Sequence, residues 1–253
     1  MINRRNFILA SGAGIAGVIT GCIDPGDPVD VGDPAHLTSR PRTPTTIPAL
    51  GKNPLDLGID RDGFIYVPPD YSPSRPASLV VLLHGAGRSS AEWGTAPMDT
   101  LFGARNIVVV APDSRGASWD LRLGGYGPDV KFIDLALSYA FARCAVDPSR
   151  IALGGFSDGA SYALSLGASN GDLFSCVMGF SPGFYQPSTL RGKPRMFLSH
   201  GTGDTILPFS WTSEQLATSL RSSGYDVTFV QFDGGHNVPL SVASQAMDWF
   251  IGA

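Results

Sequence analysis

Short apolar runs alternate with segments of helical periodicity from residue 53 to the end of the chain. Three of these runs are continuous and rich in Val, Leu and Ile, as expected for strands buried on both faces: 79–83, 107–110 and 151–153. Further strands are predicted at 64–67, 176–180, 196–198 and 227–232, and helices at 130–143, 160–168, 213–221 and 242–251. The alternation predicts an α/β chain with a mostly parallel sheet and helices on both faces.

The predicted elements fit one domain, over residues 53–253. The stretch between the strands at 176–180 and 196–198 is short enough to be only a loop, so we expect no lid domain. Apolar residues make up 43% of the chain and charged residues 16%, which is typical of a globular protein with a large core. The mild net charge of −4 and the lack of a Lys/Arg block argue against nucleic acid as a partner.

The segment Gly155-Phe156-Ser157-Asp158-Gly159 matches the pattern G-x-S-x-G. This pattern places a nucleophilic serine on a tight strand-to-helix turn, where side chains at the two glycine positions would collide with neighbouring backbone. The pattern alone is weak, because it also occurs by chance in glycine-rich chains. Here it follows one predicted strand and opens a predicted helix, so we expect Ser157 to be exposed above the sheet as a nucleophile.

A serine hydroxyl needs a base to take its proton, and that base needs an acid to orient it. Asp204 follows the strand at 196–198, and His236 follows the strand at 227–232. Both are therefore predicted at carboxyl ends of strands, in the chain order Ser, Asp, His that this type of sheet requires. Ser157, Asp204 and His236 are the predicted catalytic residues.

Other histidines and acids fit these roles less well. His84 precedes the serine and His200 precedes the acid, so we interpret both as structural histidines that bond to loop backbone. Asp172 lies too soon after the nucleophile, Asp226 precedes its strand, and Asp233 is too close to His236 along the chain.

An acyl-transfer site also needs two fixed hydrogen-bond donors for the oxyanion. One is expected to be the backbone N–H of Asp158, directly after the nucleophile. The other is expected in the loop His84-Gly85-Ala86-Gly87, from Ala86, although this loop could also be a glycine-rich turn with no such role. The Asp158 carboxylate either caps the helix and points away, or faces the cleft and disfavours anionic substrates.

These motifs together resemble the phospholipase/carboxylesterase family of α/β hydrolases, and also lipoproteins similar to polyhydroxybutyrate depolymerases and feruloyl esterases. The resemblance covers about residues 60–253 and includes His200-Gly201-Thr202-Gly203-Asp204 and Gly234-Gly235-His236. It implies the α/β-hydrolase fold and a Ser-His-Asp esterase. One departure is Asp158, where many relatives carry Gln, Asn or His.

The first 22 residues have the layout of an export signal. Arg4-Arg5 is followed by a weakly apolar stretch, which suggests the twin-arginine route, and Ile19-Thr20-Gly21-Cys22 resembles a bacterial lipobox. We expect lipidation at Cys22, a periplasmic or cell-surface lipoprotein, and contact with a membrane only through that anchor. A plain signal peptide with a chance cysteine remains open. Residues 23–52 are predicted as a flexible Pro/Gly/Asp/Thr-rich tether.

Two more cysteines, Cys144 and Cys176, are expected to be buried free thiols, although export would permit a disulfide between them. The sequence shows no metal-ligand spacing, and the predicted chemistry requires no metal and no organic cofactor.

The leading functional hypothesis is hydrolysis of small to medium acyl esters in an open site, with Trp119, Tyr126 and Phe184 in loops that can bind the substrate. The sequence leaves open a polyester or feruloyl-type esterase, and also a non-catalytic binding lipoprotein on the same scaffold. The complete triad argues against the last of these. The sequence does not predict an oligomeric state.

Overall fold

The structure, a computed structural model, describes residues 32–58 and 60–252. From Asp33 onward the described chain forms one compact unit around a single eight-stranded sheet. The strands are β1 Gly51–Pro54, β2 Gly63–Val67, β3 Ala77–Leu83, β4 Ile107–Pro112, β5 Val146–Phe156, β6 Cys176–Phe180, β7 Arg195–Gly201 and β8 Val227–Phe232. Their order across the sheet is β1-β2-β4-β3-β5-β6-β7-β8.

The sheet is parallel from β4 to β8, and near the opposite edge β2 runs antiparallel to both of its neighbours, β1 and β4. Parallel strands bring their carboxyl ends to the same edge of a sheet, where α/β proteins build their sites. β3 and β5 are neighbours in register, with Leu83 opposite Gly155. The loop after β3 therefore lies beside the turn that carries Ser157.

Helices cover both faces of the sheet, as predicted. They are α1 Ala96–Gly103, α2 Pro128–Phe141, α3 Asp158–Ala168, α4 Ser213–Ser222 and α5 Leu240–Ile251. α2, α3 and α4 pack on one face, against a core that includes Leu79, Val81 and Leu153. α1 and α5 pack on the other, against Val80 and Leu82. This alternation along β3 explains why its sequence is continuously apolar from Leu79 to Leu83.

The α/β-hydrolase fold class is confirmed, and no lid domain is evident among the described residues. The chain between β6 and β7 is a loop with no helix or strand. Among the strands and α-helices of the described residues, two short elements were not predicted: β1, and α1 with its proline in the first turn. Neither has a long apolar pattern of its own. In the part of the chain that the structure describes, no helix has the length and apolar character needed to cross a membrane.

The tether predicted over residues 23–52 needs correction, because the compact unit begins at Asp33. Ala35 and Leu37 are fully buried against the domain. The buried Asn170 side chain accepts a hydrogen bond from Leu37 N at 2.8 Å and donates one to Ala35 O at 2.8 Å. Asp134 accepts hydrogen bonds from the backbone N–H groups of Thr38 and Ser39. Residues 33–50 therefore belong to the domain.

Both remaining cysteines are free and buried, as expected. Burial raises the pKa of the Cys144 thiol to about 12, so this group stays protonated at neutral pH.

Candidate active site

Ser157 lies on a strained turn between β5 and α3, with φ 57° and ψ −117°. Few residues other than glycine adopt such a φ, and here the surrounding contacts hold it. A Cβ atom at Gly155 would lie 2.3 Å from Gly159 O, and one at Gly159 would lie 2.4 Å from His84 O. Both glycines are thus required by close backbone contact, for the reason expected from the sequence. The turn presents the Ser157 hydroxyl at the carboxyl edge of the sheet.

The three predicted catalytic side chains meet at this edge. His236 Nε2 lies 2.8 Å from Ser157 Oγ, and His236 Nδ1 lies 2.6 Å from Asp204 Oδ2. The Asp204 side chain is fully buried, whereas the His236 side chain keeps 14% of its surface exposed. Because a carboxylate can only accept, Nδ1 carries a proton, and Nε2 is free to accept the serine proton.

Asp204 is fixed by the turn that follows β7. Its Oδ1 atom accepts hydrogen bonds from the backbone N–H groups of Ile206 at 2.8 Å and Leu207 at 2.9 Å. Burial alone would raise the pKa of this carboxyl, but the hydrogen bonds from these N–H groups and from His236 outweigh it and lower the pKa. Asp204 is therefore ionised at neutral pH and can stabilise a protonated His236.

His200 is a second histidine on the same carboxylate. Its Nε2 atom lies 3.0 Å from Asp204 Oδ2 and 2.8 Å from Leu207 O, and its Nδ1 atom lies 2.6 Å from Ser213 Oγ. Since a carbonyl oxygen only accepts, Nε2 bears the proton, and Nδ1 accepts from the serine hydroxyl. Burial lowers the pKa of His200, so the ring is neutral. The backbone contact was expected from the sequence, but the contact with Asp204 was not.

The loop after β3 is held from several sides. His84 is fully buried, with Nδ1 donating to Gly85 O at 2.7 Å and Nε2 accepting from Ser114 N at 3.0 Å. Burial lowers the pKa of His84, which suits this neutral form. Glu92 accepts a hydrogen bond from Gly85 N at 2.9 Å. His84 is therefore structural, as expected, and it shapes the loop that carries Ala86.

The two residues predicted to donate to the oxyanion lie in the wall of one cavity. Ala86 and Asp158 both line a cavity of about 630 Å³ that also contains Ser157 and His236. Neither backbone N–H donates to another group within the described chain. For Asp158 this follows from its place in the first turn of α3, where N–H groups have no partner inside the helix. Both N–H groups are therefore without a hydrogen-bond acceptor within the described chain, in residues that line the same cavity as Ser157.

The Asp158 side chain follows neither of the two alternatives considered from the sequence. It makes no capping hydrogen bond to α3, and it does not project free into the cavity. The residue is 6% exposed, its carboxylate accepts a hydrogen bond from the Ser118 hydroxyl, and Arg122 Nη1 lies 3.8 Å from its Oδ1 atom. The negative charge is thus largely shielded from the cavity.

Of the three aromatic residues predicted to bind substrate, only Phe184 lines the cavity. Its loop is fixed by Ser161 Oγ, which accepts hydrogen bonds from Gly183 N at 2.9 Å and Phe184 N at 3.3 Å. Ser161 also donates to Ser157 O at 3.2 Å. The Ser161 hydroxyl therefore links the turn that carries Ser157 with the loop of Phe184 in the cavity wall.

Trp119 and Tyr126, which were predicted to bind substrate, do not line the cavity. Trp119 is 1% exposed, packs between the rings of His84 and Tyr162, and donates from Nε1 to His84 O at 2.8 Å. Its large apolar area is better stabilised in the core, beneath the loop of Ala86, than at the surface. Tyr126 is half-buried, and its hydroxyl donates to Gln186 O at 3.0 Å, so it fixes a loop instead of contacting the cavity.

The predicted export signal with Arg4 and Arg5 and the predicted lipidation site at Cys22 lie outside the described residues.

Proteins similar to this chain in sequence or structure are esterases. Residues 130–251 match the phospholipase/carboxylesterase family. Feruloyl esterase C of Emericella nidulans is 25% identical over 237 residues, which cover 78% of this chain and 86% of that protein. The probable feruloyl esterase C of Aspergillus clavatus is 25% identical over 246 residues, covering 82% and 89% of the two chains.

Solved structures share the fold. Esterase PE8 aligns with a TM-score of 0.60 at 23% identity, over 76% of this chain and all of the other. Esterase 2 of Thermogutta terrifontis aligns with a TM-score of 0.59 at 21% identity, over 83% of this chain and 95% of the other. The sheet order and these matches show that the chain has the α/β-hydrolase fold and is similar to esterases.

Proposed function

We propose that the protein is a serine carboxylesterase that hydrolyses small to medium acyl esters through an acyl-enzyme. The observation that carries this proposal is the continuous contact from Ser157 Oγ to His236 Nε2 at 2.8 Å and from His236 Nδ1 to Asp204 Oδ2 at 2.6 Å. A structural hydrogen-bond chain would not need a strained backbone to expose its serine.

In the proposed reaction, Ser157 Oγ attacks the carbonyl carbon of the ester while His236 Nε2 takes the hydroxyl proton. The tetrahedral intermediate collapses, its bond to the alcohol oxygen breaks, and protonated His236 gives its proton to the departing alcohol. His236 then takes a proton from a water molecule as the water attacks the acyl-enzyme. The bond from the acyl carbon to Ser157 Oγ breaks, His236 returns the proton to Ser157, and the carboxylic acid product leaves. Asp204 holds the Nδ1–H tautomer and stabilises the protonated ring in both halves.

The negative charge that develops on the carbonyl oxygen would be met by the N–H groups of Ala86 and Asp158 and by the amino end of α3. The fixed loop after β3 supports this role, because its hydrogen bonds with Glu92 and Trp119 hold Ala86 in place before substrate binds. No metal or organic cofactor is required for this chemistry.

The two cavities beside His236 favour ester substrates in which both the acyl group and the alcohol are sizeable. The cavity of about 630 Å³ adjoins a second cavity of about 380 Å³, which is lined by Trp93, Met98 and Val238. Arg88, Phe156 and His236 belong to both. An ester bond at Ser157 would thus have room for its acyl group and its alcohol. No lid is evident among the described residues to restrict access.

A feruloyl-type or polyester-cleaving esterase is the second candidate. The relatives named as feruloyl esterases favour it, and so does the apolar wall that Phe184 and Leu207 contribute to the larger cavity, which suits an aromatic acyl group. A non-catalytic binding role is disfavoured, because binding alone has no use for the strained serine and both of its partners.

We also propose export by the twin-arginine-like signal and lipidation at Cys22, which would place the protein in the periplasm or at the cell surface. The support is the sequence pattern alone. Mass spectrometry of the amino-terminal peptide from a native membrane fraction tests it, with a lipidated Cys22 expected and an unlipidated terminus beyond Cys22 as the contrary result.

The enzymatic proposal is tested by kinetics on p-nitrophenyl esters of rising acyl length and on methyl ferulate. The wild type is expected to hydrolyse the short and medium esters, and Ser157→Ala to lose on the order of 10⁴-fold in kcat. If Ser157→Ala keeps more than about a tenth of the activity, the proposed mechanism is wrong. The ratio of methyl ferulate to p-nitrophenyl butyrate hydrolysis decides between the two substrate classes.

A further inference from the structure

The larger cavity has an uneven distribution of charge. Of its lining residues, only Arg88, Arg122 and Asp158 carry charged side chains besides the titratable His236. Asp158 is partnered by the Ser118 hydroxyl and lies beneath the surface, with 5% of its side chain exposed. The exposed charged side chains of this cavity are therefore the two arginines, each 60% exposed.

The two arginines differ in what they already bind. Arg88 Nη1 lies 3.1 Å from Glu92 Oε1, and its guanidinium lies over the Phe156 ring. The Arg122 side chain is 60% exposed, and its one ion-pair contact within the described chain is Asp158 Oδ1, which lies 3.8 Å from Nη1. That distance is too long for a hydrogen bond, so the donors of Arg122 remain available.

Arg122 also stands on a rigid support. It belongs to a 3₁₀ turn, Asp120–Leu123, beside the cavity. Asp120 N donates to Asp129 Oδ2 at 2.7 Å, and Asp129 N donates to Asp120 Oδ2 at 2.8 Å. The Tyr162 hydroxyl on α3 donates to Asp120 Oδ1 at 2.8 Å. The backbone of this turn is thus fixed to the helix that begins at the nucleophile.

We propose that Arg122 is a specificity residue for esters that carry a carboxylate away from the scissile bond, such as monoesters of dicarboxylic acids. Arginine presents paired N–H donors that match the two oxygens of a carboxylate. The shielded Asp158 holds the guanidinium near the cavity by charge attraction without using its donors. This inference rests on the proposed esterase function and names the substrate class for the same site.

The test compares p-nitrophenyl hemiglutarate with p-nitrophenyl methyl glutarate, which has the same chain but no charge. The wild type is expected to favour the hemiglutarate in kcat/KM. Arg122→Gln is expected to lower kcat/KM for the hemiglutarate by about 10- to 100-fold, the range for a lost hydrogen bond to a charged group, and to change the neutral ester by less than about threefold.

Arg150→Gln is the matched control, because Arg150 is a half-exposed surface arginine paired with Asp147 and does not line the cavity. It removes the same charge and should leave both rates unchanged. The preference of the wild type should also weaken with added salt. Equal kcat/KM for the two esters in the wild type, or an unchanged preference in Arg122→Gln, would overturn the inference while the esterase proposal stands. If neither ester is hydrolysed, both proposals fail.

Discussion

His200 is a fully buried side chain in contact with Asp204, one of the three proposed catalytic residues. Its Nε2–H is shared between Asp204 Oδ2 and Leu207 O, and the Ser213 hydroxyl fixes the opposite nitrogen. Because the ring is neutral, it adds a hydrogen bond to Asp204 without neutralising the carboxylate that His236 needs. We therefore interpret His200 as a positioning residue for Asp204.

Replacing His200 by Phe keeps a ring in the site and removes the hydrogen bond to Asp204. We expect kcat to fall by about 10- to 100-fold with KM within about twofold, because a misplaced Asp204 weakens the base and not the binding of the ester. Steady-state kinetics below the melting temperature of the variant measure this. Ser213→Ala, which leaves the contact with Asp204, should have a much smaller effect. A stability loss with unchanged kcat would leave His200 with a structural role only.

The contact among Ser157, Asp204 and His236 could be predicted from the sequence because each residue comes with a local signal: a glycine pattern or a place at a strand end. Trp119 and Tyr126 have no such signal. Both lie in the segment between β4 and α2, and only the fold reveals that the partners of Trp119 are His84 and Tyr162. Arg122 and Glu92 were missed for the same reason, since their contacts are not encoded in spacing.

At the scale of elements, the active site depends on the close approach of α3 to the loop after β3. Gly159 in the first turn of α3 makes this possible, because a Cβ atom there would lie 2.4 Å from His84 O and 2.5 Å from Leu83 O. These are backbone atoms at the end of a central strand, and they cannot move without displacing Ala86. Gly155 and Gly159 thus allow Ser157 to lie close to the loop after β3, which carries Ala86.

Gly159→Ala is expected to lower the free energy of unfolding by at least about 1–3 kcal/mol and to reduce kcat/KM sharply. The added methyl group would force the turn that carries Ser157 away from the loop after β3. Gly235→Ala is the control, because a Cβ atom there meets nothing within 4 Å. We expect its stability to change by less than about 0.5 kcal/mol. Urea unfolding of both variants gives the comparison, and a Gly159→Ala variant with wild-type stability and activity would contradict this role.

At the scale of the whole molecule, the largest departure from the sequence prediction is the segment of residues 33–50. Its apolar residues are isolated between polar ones, so no periodic pattern marks it as part of the domain. It is held by partners that are distant in the chain: Asn170 at the end of α3 and Asp134 on α2. The parallel sheet, in contrast, could be predicted because its buried strands are continuous apolar runs.

Asn170→Ala tests whether this segment stabilises the fold. The substitution leaves Leu37 N–H and Ala35 O buried without their partner, so we expect a loss of about 2–3 kcal/mol in the free energy of unfolding. Gln215→Ala is the comparison, because Gln215 Nε2 donates to Ser210 O at the exposed surface, away from this segment, and it should cost less than about 1 kcal/mol. A loss below about 1 kcal/mol in Asn170→Ala, no larger than that of the comparison, would mean that the contacts of Asn170 with residues 33–50 contribute little to stability.

The central claim is that Ser157 is the activated nucleophile of an esterase. The most direct measurement is reaction of the wild-type protein with a fluorophosphonate, followed by mass spectrometry of the peptides and an assay of the remaining hydrolysis of p-nitrophenyl butyrate. The predicted result is one adduct per chain, located on Ser157, with activity lost in proportion to labelling and no adduct in His236→Ala on the same timescale. An unlabelled Ser157 in a protein that still hydrolyses the ester, or full labelling that leaves hydrolysis intact, would contradict the claim.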